Sequence, residues 1–236
     1  MSAKILIALQ FWGGDKEAAM KRARLIADLE PQLSTSADFM FSSRFDCTQS
    51  VEDIKHVSRK FQVHTHVNRR RGVGWPSGCN DLFFGTLDHV FTLSEAKRLP
   101  MYKAILFMES DSFPLHPGWI EKLSRDWDGA GAKVFGPLCS NGPHINGNCF
   151  ISGDKLFLRW LARDKGGCSP HVGWDYHLYS EFLKWGAKDA PAMKSWWRIK
   201  DVGQGTFDEL LSTGVSFLHG CKDDSVEKLV RRKFKI

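Results

Sequence analysis

Ala104-Ile105-Leu106-Phe107-Met108-Glu109-Ser110-Asp111-Ser112 sets an unbroken apolar run against an abrupt acidic end. Such a run reads as a strand buried on both faces, of the kind found inside parallel sheets. Side chains two apart share a strand face, so Glu109 and Asp111 are expected to emerge together where the sheet ends. The carboxyl end of a buried strand is where open α/β sheets keep their ligand crevice. Two carboxylates there repel each other unless protons or a cation intervene, and hard divalent cations prefer oxygen ligands. Magnesium and manganese in turn hold phosphates. Taken alone, the pair also fits one core-edge acid followed by a solvated turn, so the rest of the chain decides.

Upstream, Lys4 to Leu9 reads as a first buried strand and Gln10-Phe11-Trp12-Gly13-Gly14 as a turn. Asp15 is placed to cap a helix running to about Glu30, with Ala18, Leu25 and Leu29 near one stripe and Pro31 as its stop. Asp38 to Ser43 is a second strand, Val51 to Lys60 a helix, and Phe61 to Val67 a half-covered strand with alternating apolar and polar residues. A basic, glycine-rich turn from Asn68 to Pro76 then opens a helix over about Gly78 to Ser94. Strand and helix alternating in this way is the pattern of a parallel sheet built from right-handed crossovers.

Downstream the pattern loosens. Pro117-Gly118-Trp119 opens a short helix to about Arg125, and Val134 to Pro137 and Asn148 to Ser152 are short strands. Helices are expected from about Asp154 to Ala162 and from about Trp174 to Trp185. Ala187 to Thr206 reads as a loop long enough to suspect function. Gly214 to Gly220 is a last strand.

The bulk properties bound the chemistry. The 236 residues can bury a proper core, and 42% hydrophobic with 25% charged content is ordinary for a globular protein. No apolar stretch is long enough to span a bilayer, and the N-terminal apolar segment is too short for a signal peptide. The chain is therefore read as soluble and cytoplasmic. Six cysteines (Cys47, Cys79, Cys139, Cys149, Cys168 and Cys221) show no metal-finger spacing and are read as reduced. The net charge of +6 leans weakly toward polyanions. It is concentrated at Arg69-Arg70-Arg71 and in the tail from Lys228 to Lys235. Nothing in the sequence signals an oligomeric state.

Several motifs now fall in a telling order: the turn after the first strand, Arg71-Gly72-Val73-Gly74-Trp75-Pro76-Ser77-Gly78-Cys79-Asn80, Glu109-Ser110-Asp111, Trp174-Asp175, and Leu218-His219-Gly220-Cys221-Lys222. Together they resemble a glycosyltransferase of the GT-A fold over nearly the whole chain. The resemblance implies a single Rossmann-like α/β domain with a mostly parallel sheet flanked by helices. Residues 1–112 or so form its nucleotide-binding half, and about 113–236 a mixed acceptor half. It also implies a nucleotide-sugar donor, a UDP-sugar first, with Mn2+ or Mg2+ bridging the diphosphate.

Carried over residue by residue, Asp111 is the direct metal ligand and His219 a further one. Glu109 stands where the usual motif has its first aspartate, which leaves metal and ribose contact both open to it. Lys222 is suited to neutralise a phosphate, and Gly220 allows close approach. Asp175, at the start of a late helix, is the candidate base for the acceptor hydroxyl, in competition with a role as a helix cap. Glu181 is the fallback. Gln10, Phe11 and Trp12 are expected at the nucleotide base or ribose, with core packing the stronger alternative for Phe11. Arg44 and Asp46 could read the base edge, and Arg71 and Asn80 flank a helix N-terminus that would face phosphate or sugar. His64 and His66 share a strand face but lack a third ligand nearby.

On the acceptor side, Asn146 and Asn148 offer neutral hydrogen bonds suited to hydroxyls. Trp196, Trp197 and Arg198, with the basic tail, mix aromatics and cations in a way that suits base stacking beside phosphates. A hydroxymethylated pyrimidine in DNA is the first acceptor expected, and a cell-surface glycan, lipid or protein hydroxyl the second. Catalysis is expected to invert the sugar. Two other classes stay open: a nucleotidyltransferase, and a non-catalytic nucleic-acid-binding module, which would leave Glu109 and Asp111 without a purpose.

Overall fold

A computed structural model of the chain describes residues 4–139, 142, 144–163, 169 and 171–236. Cys168 lies outside them, as does the start of the N-terminal segment read for a leader. The first half forms the expected parallel array: β1 (Ile5–Phe11), α1 (Lys16–Leu29), β2 (Ala37–Arg44), α2 (Val51–Ser58), β3 (Val63–Asn68), α3 (Ser77–Glu95) and β4 (Ala104–Met108). β1 lies between β2 and β4, with Ile5 opposite both Ala37 and Ala104. Every residue of β1, β2 and β4 is buried, as their apolar runs require when helices cover both sheet faces. Phe61, expected at the start of β3, instead precedes the strand and is buried in the core.

The second half is built from shorter pieces: β5 (Ser112–Pro114), α4 (Trp119–Ala130), β6 (Val134–Gly136), β7 (Phe150–Ser152), α5 (Lys155–Arg163), α6 (Trp174–His177) and α7 (Tyr179–Lys184). These are followed by β8 (Lys188–Asp189), β9 (Met193–Ile199), α8 (Gln204–Ser212), β10 (Phe217–Cys221) and α9 (Ser225–Phe234). The main sheet runs β3-β2-β1-β4-β7-β6-β8, and a second sheet runs β5-β10-β9. β7 pairs antiparallel to β4, so the sheet is mixed beyond its parallel centre.

Two expectations need correction here. The segment 187–206 is no loop, because Met193–Ile199 pairs in parallel with β10. Its exposed cations and aromatics hide the strand, which is half-covered at a sheet edge. The helix expected over 174–185 is two short helices meeting at Leu178. The basic tail is an amphipathic helix, α9, whose Val226, Leu229 and Val230 are buried.

The small sheet matters most for the site. β5 follows directly after the acidic segment, and its antiparallel register with β10 sets Ser112 opposite His219. Residues from the two ends of the chain's second half are thereby brought to the mouth of β4. On the other side, Trp174 stacks flat on Phe83 of α3 at 3.5 Å, which seats the α6 start against the helix that follows β3. Among the described residues, no helix is long and apolar enough to cross a membrane. The five described cysteines are unpaired.

Candidate functional site

Glu109, Asp111 and His219 converge at the carboxyl end of β4, with one potential ligand atom from each inside a 4.8 Å span. His219 Nε2 lies 3.3 Å from Glu109 Oε2 and 3.4 Å from Asp111 Oδ1. These spacings suit a single cation with bonds of about 2.1 Å, and two carboxylates with one imidazole form a donor set that manganese accepts. Ser195 Oγ sits 3.1 Å from His219 Nδ1 and fixes the ring's orientation, a role that outer partners of metal-binding histidines usually fill. Among the described residues this is the one such cluster.

The protein's own cations balance Asp111. Lys222 Nζ donates to its Oδ2. Burial pushes the Asp111 carboxyl up, but His219 and Lys222 outweigh it and hold the carboxyl well below the usual range. Burial acts the other way on His219, yet its bonds to Asp111 and Glu109 prevail and raise the imidazole to about 9. Glu109 is the open member of the trio, with its side chain 46% exposed. Gly220 has a φ of 97°, and a Cβ there would collide with the Trp196 carbonyl of β9, so only glycine lets the two strands close at this point.

The acidic segment is clamped from two sides. Asn148, 1% exposed, accepts from Glu109 N at 2.7 Å and from Ser112 Oγ at 2.6 Å through one amide oxygen. Asn146 Oδ1 in turn accepts from both nitrogens of Asn148 at 2.9 Å. Asn148 therefore shapes the metal segment and has no surface left for an acceptor. On the other flank, Asp15 accepts from Trp12 N and from Ser110 Oγ, each at 2.8 Å. It holds the N-cap position of α1 as expected, but its side chain makes no cap bond and instead ties the turn after β1 to the middle of Glu109-Ser110-Asp111. Burial raises its carboxyl, and Glu109 and Asp111 add to the shift.

Asp175 lies in the first turn of α6, next to the loop that holds Asn146 and Asn148. Its Oδ2 accepts from Gly147 N at 3.1 Å and its Oδ1 from Tyr176 N at 3.0 Å, while the cap position belongs to Gly173. Burial raises its carboxyl; the nearby His144, with Nε2 3.8 Å away, opposes the shift. Glu181 sits on the next helix and is bonded to Lys184.

The remaining residues divide. Trp12 is half exposed over the Arg44 guanidinium at 4.9 Å, and Arg44 is paired with Asp46 through two bonds of 2.9 and 2.5 Å. Arg71 lies over Phe45 on the same rim. Phe11 is in the core against Phe41, and Gln10 is buried and donates to Thr86 Oγ1, so neither side chain opens to the cleft. Asn80 is likewise inward: it accepts from Trp174 N at 2.8 Å and donates to Val172 O at 2.9 Å, clamping the α6 start. Trp196 packs on the core beneath the small sheet, whereas Trp197 is 71% exposed with Arg198 over its ring. His64 bonds to Tyr102 with Asp38 Oδ2 3.8 Å away, and His66 stacks on His89; among the described residues they form no cluster with metal-ligand spacing. Sequence reasoning missed Ser195 altogether, since a serine in a presumed loop carries no signal.

No family model matches the chain, and no curated protein matches it in sequence. Its fold does have solved counterparts. The glycosyltransferase GlyE of Streptococcus pneumoniae TIGR4 matches 94% of this chain and 56% of its own, at 10% identity and a TM-score of 0.58. A glycosyltransferase involved in glycosylation of the major capsid of PBCV-1 matches 99% and 100%, at 11% identity and 0.53. An active-site mutant of LgtC matches 98% and 95%, at 10% identity and 0.51. The chain spans little more than half of GlyE's length. It has the GT-A fold, a mostly parallel α/β sheet flanked by helices.

Proposed function

We propose that the chain transfers a sugar from a nucleoside-diphosphate sugar to an acceptor hydroxyl. The observation that carries this reading is the Glu109, Asp111 and His219 cluster at the mouth of the central strand, with Lys222 on Asp111 and the half-buried Asp175 beyond the Asn146–Asn148 loop. The fold it shares with proteins described as glycosyltransferases supports the same conclusion.

In this reading Glu109, Asp111 and His219 would hold Mn2+, which would supply positive charge for the diphosphate as negative charge builds on the leaving oxygen. Lys222 then moves its ammonium from Asp111 to that diphosphate. Asp175 takes the proton of the acceptor hydroxyl, whose oxygen forms the new bond to the sugar as the bond to phosphate breaks. A desolvated carboxylate is a stronger base than a solvated one, and the raised Asp175 carboxyl fits the task. Attack from the face opposite the diphosphate inverts the sugar. Trp12, Arg44 and Asp46 border the nucleoside end, with a UDP-sugar as the first donor to test.

A DNA acceptor asks for free cations beside exposed aromatics. Trp197 and Arg198 provide that pairing, but in α9 Arg231 is bonded to Asp28 and Glu227, and Lys233 to Asp208. Support for DNA thus rests on the β9 edge and on the exposed Lys228, Arg232 and Lys235 of the tail.

Thermal-shift measurements with Mn2+ and a set of UDP-sugars test the reading, since a specific ligand stabilises the native state. Stabilisation by UDP-sugars that needs Mn2+ is expected. Stabilisation by nucleoside triphosphates alone, with pyrophosphate release, would point instead to a nucleotidyltransferase.

A further inference from the structure

Trp75 stands out among the tryptophans. Trp119, Trp127 and Trp174 are buried, whereas Trp75 is 77% exposed at the tip of the turn before α3. That turn is anchored at its base, where Gly72 N donates to Asp81 Oδ2 at 2.7 Å. The indole projects toward the start of α6: the Cβ position of Gly173 lies 3.9 Å from Trp75 Nε1 and 2.7 Å from Asp175 Oδ1. The exposed ring and the half-buried Asp175 carboxylate thus both reach the backbone of Gly173, where a Cβ would collide with Asp175. Tyr176, the next residue after Asp175, is 59% exposed, and His144 meets its ring edge-on at 5.4 Å.

An exposed indole next to a carboxylate serves a ligand that is apolar on one face and hydroxylated at its edge. Charge narrows the choice. Asp15, Glu109, Asp111 and Asp175 all border the same cleft, and each of the outer pair feels Glu109 electrostatically. Glu109 and Asp111 are balanced by His219 and Lys222, but Asp175, the carboxylate beside Trp75, disfavours an anion at that point and leaves a neutral polyol untouched. A pyranose ring has the right build: its C–H face lies on the indole while its hydroxyl edge turns to carboxylate and backbone donors.

We infer that Trp75, with Tyr176, forms a subsite for a neutral pyranose of the acceptor, holding one sugar hydroxyl at Asp175. The inference rests on the transferase reading for its purpose, but the subsite itself binds sugar with no nucleotide present.

Saturation-transfer NMR with methyl pyranosides of the gluco, galacto, manno, xylo and N-acetylgluco series, both anomers, tests it. A gel-shift arm uses duplex DNA carrying 5-hydroxymethylcytosine. At least one pyranoside is expected to show transfer to the ring protons of a single face. Trp75→Ala should weaken it by tenfold or more and Trp75→Phe should restore most of it. The Mn2+-dependent shift with UDP reports, in the same samples, that the Trp75 variants are folded and that the donor side is intact. No transfer to any pyranoside, transfer that survives Trp75→Ala, or binding to the duplex alone overturns the subsite. Pyranoside binding without any UDP response would leave the subsite standing and sink the transferase reading.

Discussion

Asn148 Oδ1 accepts the backbone N–H of Glu109 at 2.7 Å, so a residue 39 positions away holds the acidic segment in its bend. The same oxygen takes the hydroxyl of buried Ser112. Asn148→Ala strands both donors away from water. A loss of about 1–3 kcal/mol in urea unfolding is expected, with weaker Mn2+ binding as Glu109 loses its orientation. Unchanged stability and Mn2+ affinity would show that the clamp is idle.

His219 gives the metal site a pH dependence of definite sign. Its bonds to Asp111 and Glu109 raise the imidazole to about 9, so a cation taken up by the proposed site would displace a proton at neutral pH. Mn2+ affinity, followed by calorimetry, should therefore climb from pH 6.5 to 9. Without metal the trend reverses: the stability from protonated His219 is complete below 6.5 and is lost as pH rises through about 9. His219→Gln should flatten both trends.

Asp175→Asn keeps the size of the side chain and the acceptors for Gly147 and Tyr176 in part, but removes the base. Transfer should fall by roughly 10² or more while donor affinity stays near that of the unaltered chain. The acid limb of the kcat profile should lie above the usual carboxylate range, because burial raises the Asp175 carboxyl. Lost stability with turnover intact would assign Asp175 to structure and move attention to Glu181.

The parallel half of the fold is legible because buried parallel strands must be apolar throughout, and β1 and β4 are. β6 and β7, three residues each, fall within the short strands expected at 134–137 and 148–152, whereas β5, also three residues, is too short for any period to register. β9 hides for another reason: its Trp196-Trp197-Arg198 face is half solvent-exposed and mimics a loop. At the site, the convergence of Glu109, Asp111 and His219 agrees with motif order, since acids at a strand end and a late histidine carry a recognisable pattern. The struts do not. An aspartate before a helix looks like a cap, so Asp15 gives no sign that it reaches Ser110. Asn80 and Asn148 look like ligand-facing amides, although both spend their hydrogen bonds on neighbouring backbone or buried side chains.

The central claim is that a divalent cation on Asp111 couples the chain to a nucleoside diphosphate, and calorimetric titration with UDP tests it most directly. In Mn2+ a clear binding isotherm is expected. A chelator should abolish it, and Asp111→Asn should abolish it in Mn2+ while the thermal unfolding profile shows a folded chain. Equal UDP affinity with chelator present, or in Asp111→Asn, would contradict the account.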